Sequence, residues 1–486
     1  MDDLSMFLAE KCQFLSSKLT LPSDINLPEE IQQHLVIGEV PLSLNQQGTV
    51  WFTGKQFPHI HVLHSFWQVT GPIEPETLRQ ALFHLLCHHD ALRSCFAEYF
   101  LSNGDWRWKQ FIVAPQHRIP LTWIDLSKYS KQEQQKYIIS VSKQTSLDIE
   151  EDPQLNCVYF FLGEHEPGYM LLFISHLVCD FWSSRIIMED LSLACNQLYR
   201  KEKVQFSRKT SSLKRWSGRM FELASSDYGK KHIELLRSYR QAWPSSTTLS
   251  SLPTDYPRGI SIKAIGSFLQ KHLNDVETAA MQRFSVKYKV QIIEILLAAI
   301  ALAFKQWAGI CILPISIDSH GRETFFEDLH VLRTVGNFAI DIPDVIDLNG
   351  TTNANEALQY VKERWRQVPH KNVAVALSRF LDIVEEELSY PFWERYHCEV
   401  HLNYTGRVPA TDDSREENDI YFRPASLPLE EQYGQFPVSN MLKCSAAILN
   451  RKLWTSWEYD PDLYHSRTID KLASNCMAAI IEMISR

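Results

Sequence analysis

No Cys-x-x-Cys pair occurs among the ten cysteines, which stand apart at 12, 87, 95, 157, 179, 195, 311, 398, 444 and 476. That spacing gives nothing to anchor a zinc site, and scattered thiols favour a reducing compartment over a disulfide framework. No run of about 18 uninterrupted apolar residues occurs either, so no membrane span is expected. A basic excess is also missing: 49 Lys and Arg stand against 58 Asp and Glu, a net charge of −9. Nucleic acid is therefore excluded as the main partner, because phosphate binding needs a concentrated basic stripe. An acidic partner would have to be met by a local basic patch. The N-terminus, MDDLSMFLAEKCQFLSSKL, is acidic at its start and interrupted by Glu10 and Lys11, which is wrong for a secretory signal. Internal repeats and low-complexity tracts are absent. A soluble cytoplasmic protein is the expectation.

What is present is ample core material. Hydrophobic residues make up 45%, aromatics 12% and charged residues 22% of the 486-residue chain, the profile of a globular protein. A single core seldom serves so long a chain, so two lobes of about 200 residues are expected. Residues 1–40, punctuated by Pro22 and Pro28, predict a helical preface. LHSFWQVTG (63–71) predicts a strand, and the apolar spacing of Leu78, Ala81, Leu82, Leu85 and Leu86 predicts a helix over 75–96. Two strands flank Pro167-Gly168, and a helix follows from Trp182 to Arg200. Residues 206–260, rich in Lys, Arg, Ser and Pro, predict a connector between a first lobe at 41–205 and a second at 261–486. In the second, IEILLAAIALAFKQWAG and NEALQYVKERWRQVP predict helices, CILPISID and HCEVHLNYTG strands. The fold class is α+β.

The stretch ISHLVCDFW (174–182) places His176 at the end of an apolar run, with Asp180 four residues later. A lone His in a central strand is more often a satisfied core residue, and Asp180 is well placed as N-cap of the following helix. Both side chains nevertheless come to one rim, where a strand ends and a helix begins. Open α/β sheets tend to carry chemistry there.

ISHLVCDFWSSRIIMEDL resembles the HHxxxDG motif of the condensation and epimerization domains of nonribosomal peptide synthetases, with Ser175 for the first His and Phe181 for the Gly. CHHDALRSCF (87–96) resembles the family's RHExLRTxF, and PLSLNQQGTVWF its first motif. DSHGRE (318–323), RTVGNF, YVKERWRQVP and HLNYTGR are similar to segments of the epimerization branch, EGHGRE, RTVGWF, VKERLRxVP and FNYLG. The matches run in order over residues 41–406.

The resemblance implies two pseudo-symmetric chloramphenicol-acetyltransferase-like lobes in a V, with the active site at the seam. It makes His176 the base, Asp180 its structural partner, Arg93 the ion-pair partner of Asp180, and Arg333, Asn403 and Tyr404 pocket residues. Asp318 takes the place of the Glu that serves as second proton-transfer group, one methylene shorter. Ser319 stands for a Gly and Asn337 for a Trp, and with Ser175 and Phe181 these departures reshape the expected substrate pocket.

Three functions are compatible with the motifs. The first is epimerization of an aminoacyl or peptidyl thioester, using His176 and Asp318. The second is condensation to an amide or ester, for which His176 suffices. The third is a catalytically degenerate platform that recruits a tailoring enzyme. In each, the implied partner is an acyl or peptidyl carrier protein presenting substrate on its phosphopantetheine arm, in nonribosomal peptide or hybrid polyketide synthesis. No intrinsic cofactor and no metal are expected, and a free-standing monomer acting in trans is.

Overall fold

The computed structural model describes residues 18, 35–43, 46, 62–71, 73–100, 106–116, 118–142, 147–151, 153–244, 251–258, 267–322, 325–384, 398–407, 419–425 and 442–485, without the side chains of 99–100, 106–107 and 379–384. Most of the N-terminal preface and of the first motif (41–52) lies outside the described residues. Where 35–40 is described, it carries a strand, Gly38–Val40, instead of helix.

Two compact units divide the chain. The first takes the described residues within Met1–Glu222, Arg322–Phe338 and Ser414–Glu430, and the second those within Leu223–Gly321, Ala339–Asp413 and Glu431–Arg486. The expected lobes, each continuous in sequence, miss these excursions. Arg322–Phe338 joins the first unit because a buried ion pair holds it there, and 421–424 because it pairs with a strand of that unit.

In the first unit run β1 (Gly38–Val40), β2 (Val62–Thr70), α1 (Pro75–His88), β3 (Ser94–Phe100), β4 (Trp106–Ile112) and β5 (Leu121–Asp125). Then come α2 (Lys131–Ser142), β6 (Leu155–Phe161), β7 (Gly168–Ser175), α3 (Phe181–Tyr199) and α4 (Leu213–Ser225). The second unit holds α5 (Asp227–Gln241), β8 (Ser267–His272), α6 (Asp275–Tyr288), α7 (Ile292–Ala308), β9 (Ile312–Ser319), β10 (Ile340–Asp347), α8 (Ala354–Trp365), α9 (Lys371–Val384) and β11 (Val400–Arg407). After β12 (Tyr421–Pro424), which returns to the first unit, follow β13 (Leu442–Leu449), β14 (Lys452–Tyr459) and α10 (Ser466–Ile484).

The main sheet of the first unit has the order β12-β2-β7-β6-β5, and β1-β4-β3 form a smaller one. β7 is central, and Met170 through Ser175 are all buried, as its unbroken apolar run requires. Phe66, Val158, Phe160, Leu171 and Phe173 build a core on this sheet. The helix expected over 75–96 is shorter: α1 stops at His88, a 3-10 turn spans Asp90–Arg93, and β3 begins at Ser94.

The second unit is built on the sheet β10-β9-β11-β13-β14-β8. Alternation of period two is plain in β13, where Leu442, Cys444, Ala446 and Ile448 are buried and the residues between them are not. The buried face receives helices, and the apolar α7 lies against α10. The residues between therefore give the sheet a polar second face, which carries Asp318 and Asn403.

The expected connector contains two helices, α4 and α5. Leu213, Trp216, Met220 and Ala224 are buried at helical spacing, as are Ile233, Leu236 and Tyr239. Abundant Lys, Arg and Ser on their outer faces mask that stripe. Lys371 and Tyr239 both bond Asp344 at 2.7 Å, a buried cluster tying α5 and α9 to β10.

Candidate active site

β7 ends at Ser175 and α3 begins at Phe181, so five residues turn the chain at the rim of the sheet. Ser175 is fully buried, and its Oγ accepts from the Leu177 N–H at 3.3 Å. It stabilises the turn rather than lining a pocket. His176 is half-buried. Its Nδ1 lies 2.7 Å from the Cys179 carbonyl, which can only accept, so Nδ1 carries the hydrogen. In the neutral ring the lone pair is then on Nε2, as a general base needs. Asn337 donates from Nδ2 to the His176 carbonyl at 2.7 Å and lies 3.5 Å from Nδ1, holding the turn from a second side. Phe181 is 62% exposed at the first position of α3. The neighbouring Cys179 is no nucleophile, because burial, and then the Asp180 charge, raises its thiol pKa well above the ordinary value.

Asp180 caps α3 by accepting from the Ser183 N–H at 2.7 Å. The same carboxylate meets the guanidinium of Arg322 in a fork, Nη1 to Oδ2 at 2.6 Å and Nη2 to Oδ1 at 3.0 Å, and accepts from the Phe338 N–H at 3.0 Å. Arg322 also donates to Ser183 Oγ at 2.8 Å and lies over the Phe338 ring at 4.4 Å. Ser183 Oγ in turn donates to the Gly336 carbonyl at 2.7 Å. A Cβ on Gly336 would sit 2.7 Å from the Phe338 ring, so this close approach needs glycine.

The expected pairing of Arg93 with Asp180 is corrected. Arg93 ends the 3-10 turn, where Asp90, three residues back, takes its Nη2 at 2.6 Å and the Leu86 carbonyl its Nε at 2.9 Å. Local carboxylate and carbonyl acceptors satisfy it, and Arg322 holds Asp180 instead. Arg322 lies inside the quoted DSHGRE, but sequence reasoning gave it no role. Its buried match to a capping carboxylate 142 residues away leaves no local signal.

Arg333 does not gather at His176 either. It bridges Glu189 at 2.8 Å and Asp190 at 2.6 Å on α3. Asp190 also takes His89 Nε2 at 2.9 Å. Burial would raise the Asp190 pKa, but His89, Arg333 and His88 together lower it. Burial pushes the neighbouring His88 down to about 3.

In the second unit, Asp318 sits near the end of β9, paired across the sheet with Asp341 of β10 and Asn403 of β11. His401 Nε2 lies 2.9 Å from Asp318 Oδ1 without a well-directed hydrogen bond, so the contact is electrostatic. Burial disfavours the imidazolium, but Asp318, by contact and charge, and Asp341 outweigh it and hold the His401 pKa above its ordinary value. The ligand atoms of Asp318, Asp341 and His401 all lie within 4.8 Å of one another, so two carboxylates and an imidazole share one small patch of this face. Ser319 ends the strand and accepts from the Gly321 N–H at 3.3 Å. Tyr404 follows Asn403, its hydroxyl pKa pushed up to about 12 by burial. His401 and Asp341 escaped sequence reasoning because they meet Asp318 through strand pairing rather than spacing.

The predicted residues thus fall into separate groups: His176, Asp180 and Asn337 in the first unit; Asp318, Ser319, Asn403 and Tyr404 in the second; and Arg93 and Arg333 in ion pairs of their own. Among the described residues no helix is long and apolar enough to cross a membrane, and the nine described cysteines are unbridged.

Known proteins carry the same fold. The epimerization domain from the third module of tyrocidine synthetase B superposes with a TM-score of 0.78 at 24% identity, covering 93% of this chain and 97% of that one. The first condensation domain of the calcium-dependent antibiotic synthetase, in complex with a substrate analogue, gives 0.64 at 15%, covering 92% and 96%. By sequence, one component of the linear gramicidin synthase of Brevibacillus parabrevis is 35% identical over 469 residues, 94% of this chain and 9% of that protein. A second component of the same synthase is 32% identical over 460 residues, 93% of this chain and 6% of that protein. The chain therefore spans less than a tenth of the length of these relatives. The family model for the condensation domain matches residues 36–486, and the chain belongs to the condensation domain family of nonribosomal peptide synthesis.

Proposed function

We propose that the chain epimerizes an aminoacyl or peptidyl thioester presented on the phosphopantetheine arm of a carrier protein. Condensation domains work with carrier-bound substrates, and this reading adds the reaction. Inversion at the α-carbon needs one group to take the proton and a second to return one from the other face. The observation that carries the reading is the setting of Asp318, a carboxylate on the polar face of its sheet, side chain 30% exposed, beside His401, where it is open to give or take a proton.

Condensation is the second reading. It is favoured by His176, whose fixed tautomer alone could take the proton from an attacking amine or alcohol. The docking reading has less support, because a platform has no need of an imidazole oriented from two sides.

The test is α-hydrogen exchange. The protein is incubated in deuterated water with a loaded carrier supplied as a separate protein, and mass spectrometry follows the thioester, so action in trans is tested as well. Epimerization predicts deuterium uptake that Asp318→Asn suppresses. No uptake, with amide or ester formed when a nucleophile is added, makes condensation the answer.

A further inference from the structure

We propose that His401 is a positioning residue for Asp318, its imidazolium fixing the carboxylate where it can exchange a proton with the substrate α-carbon. This rests on the epimerization reading. Period two puts Ser316 and Asp318 of β9, Asp341 of β10, His401 of β11 and Lys443 of β13 on the polar face of the sheet. Strand pairing sets Asp341 beside Asp318, His401 beside Ser316 and Lys443 beside His401. Ser316 Oγ donates to Asp341, which anchors that carboxylate within its own pair of strands. Asp318 takes the imidazole at 2.9 Å.

The arrangement fits a short carboxylate that must be held. An Asp side chain reaches one methylene less far than a Glu, and a misplacement of about 1 Å costs on the order of 100-fold in rate. Two carboxylates on neighbouring strands also repel, and an imidazolium on the far side of Asp318 from Asp341 offsets that repulsion. His401 is only 17% exposed and Asp318 is 30%, so the pair is confined yet still reached by solvent. The charged groups facing His401 are Asp318, Asp341 and Lys443, the first two attracting the proton and the last opposing it. In the reaction the Cα–H bond breaks at one face while a C–H bond forms at the other. Asp318 handles one of the two protons and His401 keeps its charge throughout.

The test has two arms on the full chain. In the first, NMR of ring-labelled histidine follows His401, assigned by its loss in His401→Gln. The expected midpoint lies above the ordinary ~6.5 and falls in Asp318→Asn. A midpoint at or below ~6.5 in the parent overturns the pair whatever the protein catalyses. In the second, exchange of the α-hydrogen is followed against pH. The parent should lose rate as pH rises through the His401 midpoint. His401→Gln should be slower by roughly 10- to 100-fold without that limb, at unchanged KM for the carrier. His401→Lys, which keeps the charge to higher pH, should recover rate and move the limb upward, and a merely structural histidine would do neither. Equal exchange by parent and His401→Gln at every pH overturns the proposal. A raised midpoint without any exchange in the parent refutes the epimerization reading, and the positioning role with it, while leaving the ion pair standing.

Discussion

Replacing Arg322 by Met should destabilise the first unit more than any single change at the imidazole. Its guanidinium is fully buried, and the change leaves the Asp180 carboxylate, itself 4% exposed, with only two backbone N–H donors. Breaking a buried pair by removing one partner costs about 3–5 kcal/mol. Loss of the bond to Ser183 Oγ adds about 1 kcal/mol. At roughly 2–4 °C per kcal/mol for a unit of this size, melting should fall by about 8–24 °C. Asp180→Ala should cost as much, since it strands the guanidinium and removes the α3 cap. The double variant Asp180→Leu with Arg322→Met should be more stable than either single, because no charge is left buried and unpaired. Calorimetry of parent, singles and double closes the cycle. Additive losses, or an Arg322→Met variant that melts like the parent, would refute the claim that this pair locks the turn carrying His176.

His176→Ala should abolish turnover and lower melting by no more than a few degrees, since the ring is half-buried and its bond to the Cys179 carbonyl is worth about 1 kcal/mol; turnover at the parental rate sinks both enzymatic readings. Asn337→Leu removes the donor to the His176 carbonyl and should reduce turnover about tenfold while circular dichroism stays parental, because the turn that aims the imidazole loses one of its holds. Burial holds His88 neutral down to about 3, so its contribution to stability is complete above the unfolded pKa of ~6.5 and is lost progressively as pH falls from there towards 3. His88→Phe should therefore show a shallower acid decline in melting temperature between those limits.

The parts of this molecule legible in sequence are those fixed by neighbours in the chain. The apolar run 168–175 before a turn reads as a central strand, and Asp180 before Trp182 as a helix cap, so the strand, the turn and the position of His176 follow from local pattern. Helices α4 and α5 were hidden because Leu213, Trp216, Met220 and Ala224 are outnumbered by Lys, Arg and Ser. Tertiary pairing was less legible. Arg93 stands beside Asp90, and simple spacing favours that local pair, yet the motif resemblance pointed to Asp180. Arg322 and His401 reach their carboxylates only after the strands and loops have been brought together, which no periodicity encodes.

Stereochemistry tests the central claim most directly. A carrier loaded with a single enantiomer of an aminoacyl or peptidyl thioester is incubated with the chain, the thioester is hydrolysed, and the released acid is resolved by chiral chromatography. The account predicts that samples started from either enantiomer drift to the same mixture, and that His176→Ala and Asp318→Asn leave each start unchanged. Retention of configuration from both starts by the parent protein, on a carrier it demonstrably binds, would contradict it.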